Sequence, residues 1–174
     1  MREFFYKIRF SDYEEIVTVE DSDKKVAGVI ERGVIRGCEE ETTYSFVSAE
    51  GDKVTVGMKK RKFRDMNIAR FIISTDAGEF KIKERPGKSL IKFKVYGSLD
   101  DNLILIEENS NGDMNVYYNK KHLLSVVEVK KGRKTKISAV DNTDVNSVEF
   151  AVGLLMFFMY KVYKREKWNI EQVL

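Results

Sequence analysis

The side chains best able to act chemically are few and isolated. The chain has one histidine, His122, which follows two lysines, and one cysteine, Cys38, which precedes three glutamates at residues 39–41. A catalytic triad or a zinc site needs several such groups together, so His122 is expected on a surface or at a strand edge. Carboxylates beside Cys38 disfavour its thiolate. We therefore predict that the protein is not an enzyme and has no catalytic residues of this kind.

Two polar turns have some of the features of metal sites. Residues 109–113 read Asn-Ser-Asn-Gly-Asp, but Tyr118 occupies the position, six after the glycine, where a calcium loop places its bidentate glutamate. Residues 141–144 read Asp-Asn-Thr-Asp, and Asp144 is suited to capping a following helix. We expect a hairpin turn and a helix cap, respectively, with no metal. The glycine spacing matches no phosphate loop, so no cofactor is predicted.

The strongest surface signal is a basic hexapeptide, residues 59–64. It holds five cations and one aromatic residue, and its cations are Lys59, Lys60, Arg61, Lys62 and Arg64. Residues 53–94 contain 13 basic and 4 acidic side chains, whereas residues 1–52 contain 7 and 13. Such a segment can bind phosphates of lipid or nucleic acid, or can be a solvated hairpin with no partner. A single short patch disfavours nucleic acid, which calls for a broader basic stripe.

The chain before residue 141 alternates between apolar and polar residues almost throughout. This period of two is typical of strands with one buried face. Clusters of Asp, Asn, Ser and Gly separate the strands at short intervals, which indicates antiparallel hairpins. The predicted strands cover residues 4–10, 15–20, 25–32, 43–49, 54–58, 69–75, 80–82, 91–95, 103–107, 114–118, 123–129 and 135–140. Residues 32–41 fit either a long loop or a bulged strand.

The last part of the chain predicts one helix, over about residues 145–165. Its centre, residues 150–160, is an unbroken run of eleven residues without a polar side chain except the tyrosine hydroxyl. A helix that is apolar on every face must be enclosed. The run covers roughly 16 Å, about half of a bilayer's hydrocarbon core, so it is too short to span a membrane.

Strands and helix together predict one architecture. Wide barrels can enclose a central helix, and here every apolar strand face would then meet an apolar helix face. The expected fold is therefore mainly β, a closed antiparallel barrel of about twelve strands around the hydrophobic C-terminal helix. The length of 174 residues suits a single domain covering 1–174. The N-terminal residues lack an apolar stretch and the cysteine is unpaired, so we expect a cytoplasmic protein.

This pattern resembles the tubby C-terminal-like superfamily, which includes the phospholipid scramblases and the LURP-one-related proteins of plants and bacteria. The resemblance covers essentially the whole chain and ends on an Asp-capped helix, here Asp144 followed by Val-Asn-Ser-Val-Glu-Phe-Ala-Val-Gly-Leu-Leu-Met-Phe-Phe-Met-Tyr. It implies the barrel described above. It also implies binding of phosphoinositide head groups by basic residues on the barrel. The chain lacks the acidic calcium site and the cysteine cluster of scramblases, which argues against lipid translocation.

The resulting functional hypothesis is a non-enzymatic tubby-like module. It would bind anionic phospholipid head groups through the five cations of the basic hexapeptide, peripherally at the inner membrane face and without a transmembrane segment. The alternatives are an intracellular protein-interaction or structural barrel without a lipid ligand, a nucleic-acid-binding protein, and an enzyme whose site is built from distant carboxylates.

Overall fold

A computed structural model describes residues 1–7, 16–59, 68–85, 92–129 and 134–173, with side chains as far as Lys161. It contains twelve strands and one helix. These are β1 Arg2–Lys7, β2 Val17–Asp21, β3 Val26–Arg32, β4 Cys38–Ser48, β5 Lys53–Lys59, β6 Arg70–Thr75, β7 Gly78–Glu84, β8 Lys94–Leu99, β9 Asn102–Glu108, β10 Met114–Tyr118, β11 Lys121–Val129, β12 Lys134–Ala139 and α1 Val148–Val173.

The strands form one closed antiparallel barrel. Each strand pairs with its neighbours in sequence, and β1 pairs with β12 from Arg2↔Ala139 to Lys7↔Lys134, which closes the sheet. The predicted fold class, a mainly β closed barrel of about twelve antiparallel strands with one C-terminal helix, is confirmed. The ambiguous segment 32–41 combines both predicted forms, since a connection at 33–37 leads into a strand that is irregular between Cys38 and Thr43.

The helix lies inside the barrel, as its all-round apolarity predicts. All residues from 150 to 160 are buried, and they share one core with the inward side chains of the strands. Phe150 packs edge-on against Phe4, with ring centroids 5.2 Å apart, and Phe158 stacks on Tyr6 at 5.6 Å. No helix in the described part of the chain is both long and apolar enough to cross a membrane.

A glycine allows the helix to approach one side of the barrel closely. A Cβ atom built on Gly153 would lie 3.1 Å from a methyl carbon of Val116 and 3.2 Å from those of Leu124, on β10 and β11. These distances are shorter than ordinary van der Waals contact, so a larger residue would push the helix away from this wall. The rings of Phe150 and Phe158 pack instead against aromatic residues of β1 and β4, namely Phe4, Tyr6, Tyr44 and Phe46.

The helix begins later than the sequence indicated, and it also ends later. Asp144 does not cap it, because its Oδ1 accepts a hydrogen bond from the backbone N–H of Asn146 (3.0 Å) in a preceding turn. The capping residue is Ser147, whose Oγ accepts from the N–H of Phe150 at 3.2 Å. Asp and Ser are both good helix caps, and local spacing does not show which of them will also form a turn.

The two ends of the barrel differ in charge, and we name them accordingly. The acidic end, where α1 begins, collects the connections 22–25, 49–52, 76–77, 100–101, 119–120 and 140–147. At the basic end, towards which α1 runs, lie the strand ends that flank the sequence intervals 8–16, 33–37, 60–69, 85–93, 109–113 and 130–133, and we call these intervals the basic-end connections. By sequence, the acidic-end connections carry 3 basic and 8 acidic residues, whereas the basic-end connections carry 12 and 5.

Candidate functional site

Only the first residue of the predicted basic hexapeptide can be located. Lys59 is the last residue of β5 and is exposed. Lys60, Arg61, Lys62 and Arg64, the other predicted anion-binding residues, lie outside the described residues. In the described structure, therefore, Lys59 marks where this predicted patch begins.

Lys59 borders a groove on the outer surface of the barrel. The groove has a volume of about 710 Å³ and crosses β5 to β8 near the basic end. We call it the basic groove and define it by Lys59, Arg70, Ile72, Lys81, Lys83 and Tyr96. Four of these six residues are cationic and exposed. A volume of several hundred Å³ is in the usual range for ligand-binding clefts.

Strand register brings the cations together. Arg70 on β6 pairs directly with Lys83 on β7. Because Met58 pairs with Phe71, the adjoining residues Lys59 and Arg70 also come close across the β5–β6 pair. Lysines 81 and 83 are two apart on one strand and so share its outer face. The sheet thus assembles a row of positive charge from three strands.

This arrangement is electrostatically unfavourable by itself. Like charges directly opposite one another across two strands destabilise a sheet. Within the described residues, no carboxylate lies within salt-bridge distance of Lys59, Lys81 or Lys83. Glu84 also lines the groove, but its Oε2 accepts a hydrogen bond from the backbone N–H of Ala69 at 3.1 Å. Among the described residues, these three lysines therefore have no salt-bridge partner.

The floor of the groove combines apolar and aromatic surface. Ile72 is 7% exposed and faces outward, since its neighbours in β6 belong to the barrel core. The Tyr96 ring lies under two cations, with Lys83 Nζ at 5.7 Å and the Arg85 guanidinium carbon at 5.9 Å from its centroid. Cations over an aromatic face are held in place by the ring quadrupole. The groove thus offers ordered positive charge above a partly apolar floor.

Cys38 belongs to a small cluster outside the barrel that supports this floor. Together with Ile35 it packs against Ile72. Burial raises the pKa of the Cys38 thiol, and the charges of Glu79 and Glu39 raise it further, while Lys59 opposes them. The predicted unreactive, structural cysteine agrees with this setting. The sequence indicated the effect of Glu39 but did not show burial or Glu79, which the fold contributes.

A second cavity, of about 480 Å³, lies beside Arg85, and it differs in charge balance from the basic groove. Its lining includes Lys94, but the Lys94 Nζ forms a salt bridge of 2.6 Å with Glu107. Glu108 lines the same cavity and accepts hydrogen bonds from the Tyr160 hydroxyl (2.9 Å) and the Phe93 N–H (3.2 Å). This cavity is thus a weaker candidate for binding an anion.

His122 has a polar partner that the sequence did not reveal. Its Nε2 lies 2.9 Å from Ser125 Oγ, and that hydroxyl donates to Asn115 Oδ1 at 2.7 Å. Since the serine proton is directed to Asn115, His122 Nε2 is the donor to Ser125. A general base must accept the proton of its nucleophile, so this geometry does not activate Ser125. His122 is exposed on β11, where a surface role was predicted.

The predicted hairpin turn at residues 109–113 is confirmed. Asn109 Oδ1 accepts from the N–H groups of Asn111 (2.8 Å) and Asp113 (3.0 Å), so that oxygen closes the turn. Gly112 has a φ of +82°, which favours glycine. Among the described residues, no group of three His, Cys, Asp or Glu side chains lies close enough to hold a metal ion.

Sequence reasoning identified the basic middle of the chain but missed the groove residues Arg70, Lys81 and Lys83. Their only sequence signal was the alternation of lysines along β7, which is equally typical of a solvated strand face. No family model, no curated protein and no solved structure matches the chain.

Proposed function

We propose that this protein is a non-enzymatic module of the tubby C-terminal-like kind that docks on anionic phospholipid head groups. The docking surface consists of the basic groove together with the cations at positions 59–64, of which Lys59 belongs to both. The protein would act in the cytoplasm and bind the inner membrane face peripherally. The observation that carries the proposal is the set of lysines, 59, 81 and 83, that lack a carboxylate partner within the described residues.

A bound anion would neutralise the positive charge of these lysines. Lys81 and Lys83 lie two residues apart on the outer face of β7, and their mutual repulsion decreases when an anion binds between or above them. Phosphate oxygens accept hydrogen bonds from several cations at once. A head group bound in the groove would therefore relieve the repulsion, which favours binding over a purely structural role.

The difference in charge between the two ends of the barrel supports binding of the basic end to an anionic surface. The acidic-end connections have an excess of 5 acidic residues and the basic-end connections an excess of 7 basic residues. An anionic surface attracts one end and repels the other, so it orients the molecule as it approaches. Basic residues near such a surface each contribute about 1 kcal/mol, and salt screens the attraction. We expect weak, reversible and salt-sensitive binding.

Co-sedimentation with vesicles tests the proposal. The protein should pellet with phosphatidylserine-containing vesicles but not with pure phosphatidylcholine, and high salt should release it. Lys81→Glu with Lys83→Glu should weaken binding about tenfold or more, because two attractions become repulsions. Changing Lys60, Arg61 and Lys62 to Glu should also weaken it. The matched control, Lys24→Glu with Lys25→Glu, makes the same charge change at the acidic end and should bind as the wild type.

Other outcomes identify the alternatives. If the wild type binds neither vesicle at low salt, the lipid proposal is wrong and a protein-interaction barrel becomes the better interpretation. Binding to oligonucleotides with a steep salt dependence would favour nucleic acid instead. Equal weakening by the groove pair and the acidic-end control would mean that only net charge matters and that the groove is not a site.

A further inference from the structure

The connection between β3 and β4, residues 33–37, holds one apolar side chain outward beside the basic groove. Val34 is 84% exposed, whereas its neighbours Gly33 and Ile35 are both buried. Among the large apolar residues whose exposure the structure describes, Val34 is the most exposed. A single exposed valine is common on protein surfaces, so its meaning depends on how it is held and on what surrounds it.

Both neighbours of Val34 are fixed to the barrel. The Gly33 N–H donates to the Thr43 carbonyl at 3.0 Å, and a Cβ at Gly33 would lie 2.6 Å from Ser45 Oγ, so only glycine fits so close to β4. On the other side, Ile35 is anchored in the cluster with Cys38 and Ile72. Val34 is therefore presented outward by two anchored residues, and its exposure is built into the fold.

The same anchoring places the connection 33–37, and with it Val34, at the edge of the basic groove. Ile35 packs with Ile72, and Ile72 lines the basic groove. Arg36, two residues after Val34, is exposed and adds a cation to this edge. Glu40 is exposed nearby in sequence and opposes it in charge. The edge of a groove lined by exposed cations thus carries a projecting apolar side chain.

We infer that Val34 is an apolar anchor that inserts into an anionic phospholipid bilayer while the basic groove holds the head groups. This inference rests on the proposed function. A bilayer is the occupant that supplies both complements side by side, since its head groups are anionic and the layer beneath them is apolar. A dissolved anion would match the groove but would leave Val34 in water. The anchor would strengthen binding that electrostatics alone leaves weak.

Tryptophan fluorescence tests insertion directly. The natural Trp168 is first replaced by Phe, and Val34→Trp is introduced in that background. Its emission should shift to the blue on adding phosphatidylserine-containing vesicles and should be quenched by brominated acyl chains. Leu103→Trp, at an exposed position next to the acidic end, is the matched control and should show neither change. A Val34→Trp probe that binds vesicles without a shift or quenching would overturn the inference.

A neutral substitution separates insertion from electrostatics. Val34→Asn leaves the charge unchanged but should weaken partitioning onto these vesicles about tenfold, and Val34→Leu should strengthen it. Both variants should melt as the wild type does, because the side chain is exposed. Wild-type binding that is unaffected by either change would overturn the anchor and leave the groove proposal standing. Absence of wild-type binding would overturn the proposed function and the anchor with it.

Discussion

The two ends of the barrel close in different ways. At the acidic end the connections between paired strands are two to four residues long, whereas at the basic end they reach nine and ten residues, at 85–93 and 60–69. Two of the three two-residue turns at the acidic end have two consecutive residues with positive φ, at +46° and +64° for Asp100 and Asp101 and at +49° and +66° for Asn119 and Lys120. Such turns match the twist of the strands they join.

The basic end instead carries the polar contacts of the helix and the candidate site. There the Tyr160 hydroxyl donates to Glu108, and Lys161 forms a salt bridge with Glu128. The short turns at the acidic end tolerate few changes of sequence, because strand pairing fixes their conformation. Longer connections tolerate more substitutions and insertions. One end thus serves chain reversal, while the other combines anchoring of the helix with the candidate site.

The largest loss of stability should come from removing a core ring. This loss should be similar towards either end of the barrel, because the core is continuous. Phe150 packs near the acidic end against Phe4, and Phe157 packs further along the helix, 6.0 Å from Tyr160. Each ring is at most 2% exposed, so Phe150→Ala and Phe157→Ala should each lower the free energy of unfolding by about 3–5 kcal/mol. Denaturant melts measure this. A loss below about 1 kcal/mol at either position would mean that this part of the helix is not enclosed.

Removing a hydrogen bond of the helix should lower stability less than removing a core ring, and the cost should differ between the two ends of the buried helix segment. Tyr160→Phe removes one hydroxyl, whose single proton has two acceptors within reach, Glu108 Oε1 (2.9 Å) and the Gly112 carbonyl (3.2 Å), and should cost about 1.5–3 kcal/mol, since one acceptor is a carboxylate. Ser147→Ala removes the helix cap and should cost about 1 kcal/mol. Thermal or chemical melts of the two variants give the comparison, and a larger loss for Ser147→Ala would reverse our ranking of the ends.

The same tyrosine predicts a pH dependence. Burial raises the pKa of Tyr160 above the ordinary tyrosine value, and the hydrogen bond and charge of Glu108 raise it further. The neutral hydroxyl thus contributes stability that is complete below about pH 10 and declines above it, where the unfolded chain ionises first. Tyr160→Phe should flatten part of this alkaline decline. Identical slopes for wild type and variant above pH 10 would contradict the assignment.

The smallest change in stability should come from substitutions in the turns of the acidic end. Lys120 has a φ of +66°, a region that disfavours residues with a Cβ. Lys120→Gly removes this strain and should stabilise the protein by about 0.5–1 kcal/mol, after allowance for the greater freedom of glycine in the unfolded chain. Lys121→Gly, one residue later in β11, should destabilise by a similar amount. Both are measured as shifts in melting midpoint, and destabilisation by Lys120→Gly would show that the turn is not strained.

Much of the fold could be predicted from the sequence, because the strands of a barrel alternate between buried and exposed residues. The alternation along β1, with Phe4 and Tyr6 inside, predicted its buried face, and the run at residues 150–160 predicted an enclosed helix. The helix boundary was less readable, since Asp144 and Ser147 are both good caps. The choice between them depended on a turn stabilised by Asp144 itself.

By itself, the sequence determined the closed barrel, the helix inside it and the excess of positive charge between residues 53 and 94. Local periodicity and turn chemistry indicate the strands, the hairpins and the helix, because each depends on residues close together in the chain, and a helix that is apolar on every face requires a barrel closed around it. Only the tertiary structure decided that Lys59, Arg70 and Lys83 would stand side by side, and that Val34 would project from a connection packed on the groove through Ile35. The physical reason is register: a shift of one residue between β6 and β7 would turn these charges to the other face, and the pairing that prevents it is set by the whole barrel.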